Sequence, residues 1–259
     1  MKKLTLTALA LLAAFSSSAQ AEEELRFGVD PTFAPFETKA PDGSLQGFDI
    51  DLGNAICQQL QVKCTWVQSS FDGLIPALQA RKFDAILSGM SMTDKRREQV
   101  MFSDMIYNLP SALLTPKGST LLPNVESLKG KRVAVSQGST QENFVKEQWA
   151  PKGVDMVSYQ NESEIYPDLI AGRLDAVFIN AVAAESGFLN TPAGADYKIA
   201  GEPMYDKHYF GNGTGIALRK DDNKHAEQIN QALAELHKNG TYNKMMKQYF
   251  SFDIYKQPE

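Results

Sequence analysis

The chain has 259 residues, 43% of them apolar and 22% charged, with a net charge of −5. That is enough apolar material for one large or two smaller cores, and the acidic balance argues against nucleic acid as a partner, since no basic excess neutralises phosphates. No apolar run is long enough to cross a bilayer, and His208, His225 and His237 stand at no metal-ligand spacing, so neither membrane insertion of the mature chain nor a metal or cofactor is expected.

In chain order, Lys2 and Lys3 precede an apolar run from Leu4 to Phe15 and an Ala19-Gln20-Ala21 site. This reads as a secretory signal peptide, residues 1–21, cleaved after Ala21, and predicts an exported protein. Leu25 to Val29 alternates into a strand. Asp30 ends it, ahead of a proline-stiffened loop holding Phe33 and Phe36. Asp30 is read either as the partner of a cation or as an Asx turn, and the two rings as cleft or core. Pro41-Asp42-Gly43 is a turn, and a helix starts near Asp49 or Asp51 and runs to Leu60 before a strand from Thr65 to Gln68. Cys57 and Cys64 lie where that helix hands over to the strand. An even count in an exported chain favours a disulfide, with two free thiols as the alternative. Phe71 to Ala80 is a helix and Phe83 to Leu87 a strand. The alternation predicts an α/β fold with mostly parallel sheets flanked by helices, where ligands sit beyond the carboxyl ends of strands.

Leu87 to Arg96 then reads LSGMSMTDKR. Ser88, Gly89 and Ser91 place two hydroxyls and a close-approach backbone after a strand, and Thr93 caps a helix with Arg96 in its first turn. A helix start and a guanidinium together form a cradle for a carboxylate. The alternative is an ordinary strand–turn–helix with a solvated arginine.

A strand near Val100 to Phe102 follows, then Met105 to Thr115 as one strand leaving the first domain for a second. Val125 to Lys129 is a short helix and Lys131 to Ser136 a strand. Ser139 with Glu142 forms a capping box, so Thr140 and Gln141 begin a helix at a strand end and run on to Trp149. Tyr166 to Gly172, Asp175 and the strand Val177 to Ile179 echo the segment around Asp84, and aligning Asp84 with Asp175 sets Gly89 opposite Asn180. Two pseudo-equivalent domains facing one cleft are expected. A helix from Ala181 to Leu189 and a strand near Tyr197 to Ile199 follow. The glycine cluster Phe210 to Gly215 precedes a strand instead of following one, so a nucleotide loop is excluded and a hinge crossing is read there. Helices from Asp222 to Asn239 and Thr241 to Phe250 close the first domain.

The stretches DPTFAPFE from Asp30, GFDIDL from Gly47, LIPAL from Leu74, SGMSMTDKR from Ser88, ESLKGKRVAVSQGSTQE from Glu126 and NGTYNKMMKQYFSFDIY from Asn239 carry a resemblance over nearly the whole mature chain. It resembles the periplasmic solute-binding proteins of ABC importers for polar amino acids, particularly the lysine/arginine/ornithine-binding and histidine-binding branches. The resemblance implies two lobes joined by two hinge strands, 22–109 with 212–259 as the first and 110–211 as the second. It implies a monomer in the periplasm that hands its ligand to an inner-membrane ABC permease. Arg96 would grip the ligand's α-carboxylate with the backbone of Ser91 and Thr140, and Asp30 would meet the distal cation with help from Ser88. Phe33 and Phe71 would sandwich the side chain, and Ser139 and Gln141 would line the second lobe. The family's disulfide falls on Cys57 and Cys64.

Two positions depart from that pattern: Gly89 stands where a second serine is usual, and Asn180 where an aspartate meets the α-ammonium. A basic amino acid (arginine, lysine, ornithine or histidine) is the expected ligand. The alternative is an opine such as octopine or nopaline, with Gly89 making room for the extra arm and Asn180 donating to it. An enzyme, of the cyclohexadienyl dehydratase kind found on the same fold, is not expected, because the cleft residues named include one carboxylate, Asp30, already matched to a cation.

Overall fold

The computed structural model describes residues 23–255; the signal-peptide reading lies outside them. Strand β1 (Glu24–Val29) is followed by three short strands, β2 (Thr32–Phe33), β3 (Glu37–Lys39) and β4 (Leu45–Gln46), which form a small antiparallel sheet of their own. Helix Phe48–Leu60 leads to β5 (Lys63–Gln68), helix Leu74–Gln79 to β6 (Ala85–Ile86), and β7 (Met101–Tyr107) precedes the first crossing. Beyond it lie β8 (Ser111–Pro116), β9 (Arg132–Ser136), β10 (Asp155–Tyr159), β11 (Ala176–Asn180) and β12 (Tyr197–Met204), and β13 (Thr214–Leu218) returns the chain to the first sheet. The two large sheets run β5-β1-β6-β13-β7 and β10-β9-β11-β8-β12.

The two sheets share one plan. In each, three strands pair in parallel, while one strand, β13 or β8, runs against both of its neighbours. Each reversed strand is the one the chain enters on arriving from the other lobe. A chain crossing the hinge meets the sheet at the end facing its partner, where the parallel strands finish, so it can only run the opposite way. The α/β class expected from the alternation, and the two lobes implied by the internal echo and the resemblance, are the ones observed.

Contacts at the strand starts repeat as well. The Arg26 amide donates to Asp84 Oδ2 at 3.1 Å, and the Arg132 amide donates to Asp175 Oδ2 at 2.8 Å. Each arginine side chain also pairs with its aspartate. The alignment of Asp84 with Asp175 is thus a repeat of three-dimensional structure.

Two readings are corrected. Val100 to Phe102 and Met105 to Thr115 do not form separate strands divided at Ser103; β7 is continuous and the break falls at 108–110, where Pro110 has no N–H for a ladder. Strand β10 was not anticipated: its residues are only half-buried on both faces, so no apolar alternation announces it. Helix Thr140–Phe144 does continue to Trp149, through wider turns over Val145–Trp149.

Aromatic rings dominate both cores. Phe27, Phe36, Phe48, Tyr107 and Tyr242 fill the first, and Phe144, Trp149, Phe178 and Phe210 the second. Cys57 and Cys64 are disulfide-bonded, tying helix Phe48–Leu60 to β5. Among the described residues no helix is long and apolar enough to cross a membrane.

Candidate binding cleft

The carboxyl ends of β1, β6, β9 and β11 open onto one cavity. From the first lobe it is lined by Asp30, Phe33, Phe71, Ser88, Gly89, Ser91 and Arg96. From the second it is lined by Ser139, Thr140, Gln141 and Asn180. All eleven residues singled out in the sequence therefore meet around one space.

Arg96 lines the cavity from the first lobe. Thr93 caps helix Asp94–Arg97 by accepting from the Arg96 amide at 3.3 Å, which fixes the direction in which Arg96 leaves the backbone. Its Nη1 donates to the Ser91 carbonyl and its Nη2 to the Gly138 carbonyl of the opposite lobe, each at 3.0 Å, and the guanidinium lies 5.3 Å from the centre of the Phe71 ring. Arg96 is 8% exposed, so the solvated alternative does not hold. No carboxylate pairs with it among the described residues, and burial alone drags its pKa down to about 10. A guanidinium has five N–H donors, so an anion can still be gripped by those that remain.

Asp30, 6% exposed, lines the same cavity. Its Oδ1 accepts from Thr32 Oγ1 at 2.9 Å and its Oδ2 from the Phe71 amide at 3.0 Å, so the local turn and a long-range anchor both hold it. Ser88 Oγ accepts from the Asp30 amide at 3.0 Å and donates to Glu37 Oε1 at 2.7 Å. Ser88 thus holds Asp30 in place from beneath. Burial raises the Asp30 pKa, with its two hydrogen bonds opposing the rise.

Gly89 and Asn180 occupy the pseudo-equivalent strand ends. Gly89 adopts φ +56°, its amide donates to Asp49 Oδ2 at 3.0 Å, and a Cβ there would lie 2.7 Å from the Phe33 ring. A side chain at position 89 would therefore meet Phe33, which stacks on Phe36 with ring centres 5.0 Å apart. Asn180 Oδ1 accepts from the Val182 and Ala183 amides at 2.9 and 3.1 Å, capping the helix that follows. That leaves its Nδ2 as the group without a partner among the described residues.

In the second lobe, Ser139 Oγ accepts from the Glu142 amide at 3.0 Å, but Glu142 Oε2 accepts from the Gly138 amide at 2.8 Å instead of that of Ser139. The capping box is displaced by one residue. Thr140 and Gln141 occupy the first turn, where no helical carbonyl reaches the N–H groups, and Gln141 Nε2 donates to Ser111 Oγ at 2.8 Å.

The cleft also holds residues that the sequence did not single out, among them Tyr107, Ser111, Ser136, Glu162 and Thr214. Glu162 is the consequential one. It is the half-buried first residue of the turn Glu162–Glu164, its carboxyl makes no hydrogen bond or ion pair to a described residue, and its pKa is pushed up to about 8 by burial and by the Asp30 carboxylate. The repeat contained the signal: the offset pairing Asp84 with Asp175 also pairs Phe71 with Glu162, and both residues open a tight turn leading into a helix. Among the described residues no group of acids, histidines and cysteines is arranged to hold a metal.

Residues 25–252 match the family of bacterial extracellular solute-binding proteins, family 3. The chain is 52% identical to the lysine/arginine/ornithine-binding periplasmic protein of Escherichia coli and 51% identical to the histidine-binding periplasmic protein of the same organism, in each case over 98% of this chain and 99% of the relative. Among solved structures, an ancestral arginine-binding protein bound to arginine superposes with a TM-score of 0.82 at 39% identity, covering 89% of this chain and 99% of that one. With a match across nearly all the described residues and a cleft between two like-built lobes, the chain belongs to the bacterial extracellular solute-binding proteins, family 3.

Proposed function

We propose that this protein is the periplasmic binding component of an ABC importer for basic amino acids, closing its lobes over one arginine, lysine, ornithine or histidine and presenting it to the membrane permease. One observation carries the reading. Within one cleft a buried guanidinium, Arg96, has no anion, and Asp30 and Glu162 have no cation. An amino acid with a cationic side chain supplies both missing charges. Buried charges are tolerated only when paired, so the cleft favours that ligand class over neutral or acidic ones. The names of the relatives support the same class. Export through the N-terminal segment and delivery as a monomer rest on the sequence reading and the family.

Calorimetric titration with arginine, lysine, ornithine and histidine, with glutamine and glutamate as controls, tests the proposal. At least one basic amino acid is expected to bind well over tenfold more tightly than either control. Arg96→Met is expected to weaken that ligand more than a hundredfold, the loss of about 3 kcal/mol from a charge-assisted pair, without lowering the melting temperature of the free protein. Equal affinity for glutamine, or full affinity in Arg96→Met, overturns it.

The dehydratase alternative needs a positioned general acid, and Glu162 adds a second carboxyl to the cleft. We assign both carboxyls to a cation. Incubation with prephenate is therefore expected to yield no phenylpyruvate, and its appearance overturns that assignment.

A further inference from the structure

Glu162 belongs to the second lobe, yet it lines the same cavity as Asp30 of the first, and the turn it opens touches β2, which carries Thr32 and Phe33 just beyond Asp30. Each oxygen of the Asp30 carboxylate already receives a donor, whereas the Glu162 carboxylate receives none from the described residues. Asp30 across the cleft and Tyr166 on the following helix are the titratable groups that feel it. Neither is a cation.

The charges lining the cavity come from Asp30, Glu162 and Arg96, one net negative charge when all are ionised. An amino acid with a positively charged side chain carries one net positive charge, so the occupied cleft is neutral. Asn180 contributes no charge at the amino end of the ligand, and without Glu162 the cleft itself would be neutral and the filled site would hold an unbalanced cation. The two carboxyls sit on different lobes, so closing the cleft brings like charges together. Only a cation between them turns that approach into an attraction.

We propose that Glu162 is the second carboxylate of the distal site, and that by meeting Asp30 across the cleft it selects ligands with a positively charged side chain and ties lobe closure to that charge. The inference rests on the basic-amino-acid reading and names a residue that determines its specificity.

The test compares arginine with citrulline, its neutral ureido isostere, by calorimetry on the full mature chain, using the parent, Glu162→Gln and Glu162→Ala. Glu162→Gln is expected to weaken arginine about tenfold or more and to leave citrulline unchanged or tightened, so that the arginine-to-citrulline ratio falls at least tenfold, the difference between a charge-assisted and a neutral hydrogen bond. Glu162→Ala reproduces the fall in that ratio if charge is the cause. An unchanged ratio in either variant overturns the inference while leaving the basic-amino-acid reading intact. Failure of the parent to bind any basic amino acid overturns both, and the two results are told apart by the parent titration alone.

Discussion

Beneath the Ser88–Gly89 backbone lie two fully buried carboxyls, Glu37 and Asp49. Ser88 Oγ donates to one, and the Gly89 amide and the Tyr107 hydroxyl donate to the other. Glu37 Oε2 and Asp49 Oδ1 receive no donor, and a proton held between the two carboxyls would satisfy both. Burial pushes the Asp49 pKa up to about 7 and that of Glu37 well above the usual range, the latter also through the charge of Asp49. A carboxyl whose folded pKa exceeds its unfolded value binds more protons in the fold. Its stabilising contribution is complete below the unfolded value near 4 and falls as the pH rises toward the folded one. Glu37→Gln replaces the shared proton with an amide N–H that donates to Asp49. Thermal melts are expected to show this variant matching the parent near pH 4 and exceeding it at pH 8. A gap that does not change with pH would rule out the shared proton. Carboxylates with lowered pKa, such as Asp84, are common to both proteins and cancel in the comparison.

Among the elements, the segment Ala181–Leu189 couples capping to ligand chemistry. Asn180 ends β11 and caps this segment through Oδ1, so the atom turned away from the cap is an amide nitrogen, a donor where an α-ammonium needs an acceptor. Asn180→Asp keeps the capping oxygen and replaces that donor with an acceptor. It is expected to tighten arginine or lysine about tenfold in calorimetry and leave the melting temperature within about 1 °C of the parent, because the cap is retained. Weaker binding of the primary amino acids in Asn180→Asp would show that the amide meets an acceptor on the ligand, as an N-substituted basic amino acid requires.

For the whole molecule, closure depends on backbone approaching backbone across the cleft. Gly138, at φ +73°, accepts the Arg96 side chain through its carbonyl, and a Cβ on it would lie 2.9 Å from the Cα of Asp72 in the other lobe. Gly138→Ala places a methyl group in that gap. The variant is expected to keep most of its thermal stability, losing about 1 kcal/mol to the left-handed backbone, while binding its ligand about tenfold more weakly. Small-angle scattering should show the ligand-induced fall in radius of gyration shrink. A full contraction on ligand addition would mean that this contact does not limit closure.

Several features were legible from local pattern. Thr93 and Ser139 announce helix starts because a hydroxyl at the cap meets amides only a few residues away. The strand ends at Asp30, Ser88 and Asn180 follow from alternation and from the echo of Asp84 in Asp175, since neighbours in sequence determine both. Glu162 is marked only by the offset of that same echo, which sets it opposite Phe71; within Asn161-Glu162-Ser163-Glu164 it resembles a solvated turn, and only the opposite lobe turns it into a cleft residue. Ser88 and Gly89 show the same limit, for nothing near them in sequence reveals Glu37, Asp49 or the Phe33 ring. Sequence alone therefore determined the α/β class, the two-part plan and which strand ends face the cleft, all consequences of short-range periodicity and capping. Tertiary structure alone decided which charges lack partners, because burial and pairing depend on residues far apart in the chain and brought together only when two lobes close.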